Sequence, residues 1–285
     1  MTTRKKRRKR RTVNKSKSLF ARAAAAPHVV WSVLFIVAPL LFVFYYALTD
    51  TNGNFTFENL GALGDYGNTF FLSISLSLIA TVICVLIGFP MAYFISRTKP
   101  KHQKMLLLAA MLPMWINLLI RTYSMMALLD DGGLINTVLG TNLHIVGTKG
   151  AVIFGMVYDF LPYMILPIYT VVSKLDPRVL EAAQDLGCNS FQVMTRVVLP
   201  LARSGIISGV TMVFVPSIST FYISQKLGGG TFELVGDAIE RLFANPLTYN
   251  VGAAISLVMM VLLLLSVAVM NRFADEDGEE GRIML

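Results

Sequence analysis

The sequence predicts an all-α integral membrane protein with six transmembrane helices, and three observations carry that prediction. Of 285 residues, 55% are hydrophobic and 15% are charged, whereas soluble domains carry roughly 25% charged residues. Six segments meet or approach the run of about 20 apolar residues that a spanning helix needs. The lysines and arginines between those segments fall on alternate connections. The net charge of +8 does not describe a nucleic-acid surface: eleven of the 25 Lys and Arg lie within residues 1–22, and the remainder holds 14 bases against 17 acids.

The first span is expected at about 29–48. The basic run at 4–11 is too long for an ordinary secretory leader, and the small residues Ala23 to Ala26 precede the apolar run instead of following it. The segment is therefore expected to stay as an uncleaved span. The second span lies at about 69–96, in a stretch without charge. The third runs from about 105 to 129 and contains Arg121; the fourth, 151–173, contains Asp159. The fifth is expected at 204–224 and the sixth at 251–270. A basic tail at 1–28 and an acidic tail at 273–285 flank the membrane domain, 29–272. The basic tail reads first as an anchor at anionic lipid, with nucleic-acid binding or regulation as the alternatives. Cys84 and Cys188 have no partner at a metal or redox spacing and read as free thiols.

Six spans put both termini on one side. Residues 1–28, 97–104, 174–203 and 271–285 hold 21 Lys and Arg, whereas 49–68, 130–150 and 225–250 hold only Lys149, Lys226 and Arg241. Positive charge collects on the cytoplasmic face, so both termini are expected to be cytoplasmic in a bacterial plasma membrane.

The longest inward connection, 174–203, is written as structure. Asp176 is an N-cap residue and Pro177 suits the first helical position. Val179, Leu180, Ala182, Ala183 and Leu186 follow at helical spacing, Gly187 is a stop, and Asn189 with Gln192 forms a capping-box pattern for a second helix reaching Leu199 and Pro200. A helix this short needs a partner to cover its apolar face.

Glu181-Ala182-Ala183, Gly187 four residues on, and then Val197, Leu199 and Pro200 resemble the EAA loop of binding-protein-dependent ABC importer permeases. Further stretches are similar to the spermidine/putrescine branch of that family: Gly88 to Tyr93, Pro113 to Tyr123, Leu161 to Tyr169, Phe221 to Ser224, and Leu227 to Gly230. The resemblance implies a type I ABC importer permease fold with a cytoplasmic coupling helix. Glu181, Ala182, Ala183, Gly187, Leu199 and Pro200 would then belong to the surface that meets the ATPase. It further implies a pair of ATP-binding cassette subunits, a second permease subunit and an external or periplasmic substrate-binding protein. ATP and magnesium would sit on the partner subunit, with no cofactor or metal on this chain.

Ionisable residues inside a span are costly and face a bundle interior or a cavity. Arg121 reads as structural, binding helix-end carbonyls or a neighbouring carboxylate. Asp159 would attract an ammonium group, pair with Arg121 or face a partner subunit. Tyr123, Tyr158, Tyr163, Phe221 and Tyr222 are candidate lining residues, because ring faces hold alkylammonium groups. Pro113, Pro162, Pro167 and Pro216 lie inside spans and permit kinks.

The sequence holds no G-x-x-x-x-G-K-[ST] phosphate loop, so ATP hydrolysis is expected on another polypeptide. His28, His102 and His144 form no ligand pattern, and neither Gly-x-Ser-x-Gly nor His-Glu-x-x-His occurs. An intramembrane enzyme and a stand-alone secondary transporter are the remote alternatives. The nearer one is the same machinery for another small solute such as sulfate, thiamine, iron or phosphate.

Overall fold

A computed structural model describes the backbone of residues 26–283 and the side chains of 26–272. Most of the basic tail, and the side chains of the acidic end, lie outside the described residues. Among the described residues the chain is helical throughout, apart from connections and one isolated bridge between Thr49 and Phe55. Four helices are long and apolar enough to cross a membrane: Ala26–Ala47 (α1), Glu58–Arg97, Lys149–Val172 and Tyr249–Arg272. Two bent pairs raise the number to six if each pair is one span: Pro100–Trp115 with Leu118–Leu139 at 91°, and Ser190–Leu201 with Arg203–Ile218 at 75°.

The regular part of the second of these helices is Gly67–Arg97 (α2). The stretch expected as one span at 105–129 is instead two helices, Pro100–Trp115 (α3) and Leu118–Leu129 (α4). Pro113 withholds a donor from the last turn of α3, and Ile116 is extended at φ −82° and ψ 139°. Asn117 then starts α4 afresh, its side-chain oxygen accepting from the Leu119 N–H at 2.8 Å. A short helix, Leu134–Leu139 (α5), leads to Lys149–Val172 (α6), which Thr148 caps by accepting from the Ala151 N–H. After α6 come Pro177–Asp185 (α7), Ser190–Leu201 (α8) and Arg203–Ile218 (α9). The fifth expected span, 204–224, thus ends early. Pro216 offers no N–H to the Met212 carbonyl, and Gly236 passes so close that a Cβ there would lie 2.7 Å from both the Ser219 and Thr220 carbonyl oxygens. Tyr222–Leu227 (α10), Val235–Ala244 (α11) and Tyr249–Ile283 (α12) complete the chain.

The core is the packing of α6 against α2 and α9. Small residues bring these helices together. A Cβ on Gly205 would meet the Pro167 carbonyl oxygen at 2.9 Å and the Ile168 Cα at 3.1 Å; one on Gly209 would meet the Met164 sulfur at 2.6 Å. Helices in lipid associate through such close backbone approach, because apolar side chains gain nothing by leaving lipid for protein. By contrast α1 packs on α12 through Ala47, Ala253 and Ala254, tied at one end by Asn59 donating to the Ala47 and Thr49 carbonyls and Asn250 donating to the Thr49 carbonyl.

Candidate functional site

Two regions bring together the residues singled out from the sequence. The first is the segment α7–α8. Asp176 accepts from the Arg178 N–H at 3.0 Å, and Pro177 opens the helix. The helix closes in a Schellman arrangement: the Gly187 N–H donates to the Gln184 carbonyl at 2.8 Å and the Cys188 N–H to the Ala183 carbonyl at 3.1 Å. Gly187 sits at φ 90° with open space around its Cα, so backbone conformation alone demands glycine here. Asn189 and Gln192 form a reciprocal capping box at 2.8 and 2.9 Å. A π-helical stretch, Val193–Val198, follows within α8.

This geometry divides the apolar residues of α7 into a buried set and an exposed set. Leu180 and Ala183 are buried in the main core cluster with Val193 and Val198. Glu181 and Ala182 face out, with Val179 beside them, and Leu186 is 87% exposed. Ala183 therefore packs within its own chain, whereas Ala182 beside it is exposed. Phe191, Leu199, Leu201 and Pro200 are exposed along α8. The outcome is a capped segment whose outer face mixes exposed apolar residues, Val179, Ala182 and Leu186, with the polar Arg178, Glu181, Gln184 and Asp185.

The second region lies where α4, α6 and α10 converge. The Tyr123 and Tyr222 rings meet edge to face at 6.0 Å, and the Lys226 Nζ lies 5.3 Å from the first ring centre and 5.8 Å from the second. These distances are within the range of a cation–π contact. Phe221 is exposed beside the pair. Tyr158 lies apart, on a 270 Å³ cavity shared with Ile116, Ile120, Arg121, Ser124 and Phe154. Tyr163 is also separate, its ring 6.3 Å from that of Phe160.

Asp159 is placed differently from a lining residue. It is 1% exposed, and its Oδ1 is 3.0 Å from the Nη1 of Arg121, itself 8% exposed. Of the fates open to it from sequence, pairing with Arg121 is the one observed. The contact is electrostatic: Arg121 Nε and Nη1 and both Asp159 oxygens lack hydrogen-bond geometry to any group.

Reading the sequence passed over two neighbours of these residues, Lys226 and Gly155. Lys226 stood only as one of three bases in the connections opposite the termini, although its place four residues after Tyr222 puts both on one helix face. Gly155 carried no signal, yet a Cβ there would lie 2.5 Å from Leu227 Cδ1 and 2.9 Å from Ile223 Cγ2. Asp237, outside the spans, accepts from the Ser224 hydroxyl and the Leu234 N–H at 2.8 and 2.9 Å. Burial, with Glu233 and Glu240 nearby, pushes its carboxyl up to about 6 despite those two hydrogen bonds. It borders a 650 Å³ cavity with Gln225, Phe232, Glu233, Glu240 and Arg241.

Comparison with known proteins agrees with this architecture. Two solved structures share the fold. The bacterial alginate ABC transporter, in complex with its alginate pentasaccharide-bound periplasmic protein, aligns over 91% of this chain and 95% of its own with a TM-score of 0.73 at 18% identity. The MetNI methionine ABC transporter aligns over 73% and 94% with a TM-score of 0.56 at 15% identity. Among sequences, the chain is 41% identical over 256 residues to the spermidine/putrescine transport system permease protein PotB of Haemophilus influenzae, covering 85% of this chain and 90% of that one. It is 35% identical over 249 residues to PotB of Escherichia coli, covering 82% and 90%. The family model described as "Binding-protein-dependent transport system inner membrane component" matches residues 7–276. With that match across nearly its whole length, the chain belongs to the binding-protein-dependent transport system inner membrane components, as a multi-pass membrane protein of their permease fold.

Proposed function

We propose that the chain is the transmembrane permease subunit of an ATP-driven polyamine importer, forming half of the translocation pathway and performing no catalysis itself. The observation that carries the mechanism is the outer face of α7, where Val179, Ala182 and Leu186 stand uncovered on a helix too short to persist alone. Such a face fits a groove on an ATP-binding subunit. Glu181, Ala182, Gly187, Leu199 and Pro200 belong to this docking segment, and Ala183 holds it to the rest of the chain. Because Leu180 and Ala183 of α7 share a core cluster with Val193 and Val198 of α8, a push on α7 is passed to α8 and on to α9. Nucleotide and magnesium belong to the partner pair of ATP-binding subunits. A second permease subunit completes the pathway, and an external binding protein delivers the cargo. The excess of Lys and Arg on the α7 side puts that side, and both termini, in the cytoplasm.

Two points support a polyamine as cargo: the PotB relatives are spermidine/putrescine permeases by name, and Tyr123 with Tyr222 already holds one ammonium group, that of Lys226. Tyr123, Phe221 and Tyr222 are assigned to the pathway, with Tyr158 and Tyr163 as outlying members. Asp159, sealed by Arg121, is assigned a structural place.

The test is uptake of labelled spermidine by cells lacking the chain and complemented with variants. The wild-type chain should restore uptake and co-purify with an ATP-binding subunit, whereas Gly187→Asp should insert normally and abolish uptake. Unchanged spermidine uptake in the deletion strain, with loss of another solute, would reassign the cargo. Full uptake by Gly187→Asp would sink the docking role of α7.

A further inference from the structure

The bend between α3 and α4 raises a question of position. With Ile116 extended and Asn117 beginning a new helix, the direction of α4 is not inherited from α3 through backbone hydrogen bonds, so contacts must set it. Against α6 these contacts form two successive rungs. Arg121 meets Asp159 at 3.0 Å. One turn along, Met125 meets Gly155, where its Cε would lie 3.2 Å from an added Cβ. Each rung is four residues from the next on both helices, the spacing of neighbours on one helix face, and the two helices run in opposite directions along the contact.

The Met125–Gly155 rung is an apolar packing contact made by a flexible side chain. At the Arg121–Asp159 rung, separating the charges leaves each one uncompensated at 8% and 1% exposure. Gly155 also receives Ile223 and Leu227 of α10, while Tyr123 of α4 meets Tyr222 and Lys226 of the same helix. The azimuth of α4 on α6 therefore decides whether the Tyr123 ring reaches its partners on α10.

We propose that Arg121 and Asp159 are positioning residues: their ion pair locks α4 to α6 after the bend and so holds Tyr123 against Tyr222 and Lys226. Its importance for transport rests on the assignment of that ring pair to the pathway; the positional claim does not. The rival role is mere neutralisation, in which each charge only cancels the other inside the bilayer.

Cross-linking separates the two. Cysteines replace Tyr123 and Tyr222 in a Cys84→Ser, Cys188→Ser background, and the assembled transporter in native membranes is treated with a short bifunctional thiol reagent, with yield normalised to inserted chain. The parent should cross-link efficiently. Asp159→Asn should lower the yield about fivefold or more, in keeping with contact couplings that exceed the thermal scale. Arg121→Leu with Asp159→Leu, which removes both charges and guards against poor insertion of the single variant, should stay low. Arg121→Asp with Asp159→Arg should recover most of the yield. Parent-level cross-linking in the double-leucine variant would overturn the proposal in favour of neutralisation, and a reversed pair that inserts but does not recover would overturn it too. No cargo enters this readout, so a failed spermidine-uptake assay would remove the polyamine reading and leave the positional result standing.

Discussion

Helices α1 and α6 are both apolar spans, yet they occupy opposite environments. The most apolar window of α1 has a mean hydropathy of 2.3, and none of it is buried within the chain; that of α6 has a mean hydropathy of 1.7, and 56% of it is buried. The less apolar helix is the core. In water the order would be reversed, because burial there is driven by apolar area. In lipid, apolarity only matches the solvent. Interior position is earned by what lipid cannot satisfy: Gly155 for close approach, Asp159 for an ion pair, and Pro162 and Pro167 where neighbouring helices cover the loosened backbone. Hydropathy thus finds both helices and ranks them wrongly for burial.

The comparison can be broken most severely at Asp159. Asp159→Ala leaves Arg121 buried without a counter-charge and should cost about 3–5 kcal/mol, read as loss of folded chain in detergent thermal-shift assays; replacing both partners by leucine should recover most of it. Next in size is Gly205→Val. Its added carbons meet backbone at Pro167 and Ile168, which cannot rotate away, so a loss of about 1–3 kcal/mol and a lower melting midpoint are expected. A matched change on α1, Leu41→Ala, removes a side chain that is 62% exposed in the isolated chain. It should cost about 0.5 kcal/mol or less. A larger loss seen only in the assembled transporter would sharpen the comparison by revealing a partner on α1.

The remaining prediction concerns pH and Asp237, which sits in neither class of span. Its carboxyl is raised from the ordinary 3.8 to about 6. The folded chain therefore binds this proton more tightly than the unfolded chain does. Stability from this group is greatest below about 4 and declines as pH rises through about 6. Asp237→Asn should flatten that part of the pH–stability profile of the purified protein, and an unchanged slope would exclude Asp237 as its source.

The extent to which the sequence foretold these features follows the range of the interactions. The α7–α8 segment was legible almost residue by residue, since Asp176, Pro177, Gly187, Asn189 and Gln192 act on backbone groups within four positions of themselves. The in-membrane charges were legible as unusual, but their union was only one of several options, because Arg121 and Asp159 lie on different helices. The break at Ile116 was not foreseen: Pro113 marks a permissible kink, and an apolar stretch reads the same whether it runs straight or turns by 91°. Ala183 was placed on the coupling surface by the resemblance of Glu181-Ala182-Ala183 alone, and which side of so short a helix meets the chain's own α8 is decided by tertiary packing.

By itself, then, the sequence determined the number and rough place of the apolar segments, the distribution of basic residues between the two sets of connections, and the caps of the short helix α7. These depend on solvent transfer and on backbone hydrogen bonds, which are local. Only the tertiary structure decided that α6 is the centre and α1 the rim, that Asp159 faces Arg121, and that Lys226 fills the aromatic pair of Tyr123 and Tyr222. Those outcomes depend on which helix faces touch, and in lipid that choice is made by fit and charge between distant residues, with little guidance from apolarity.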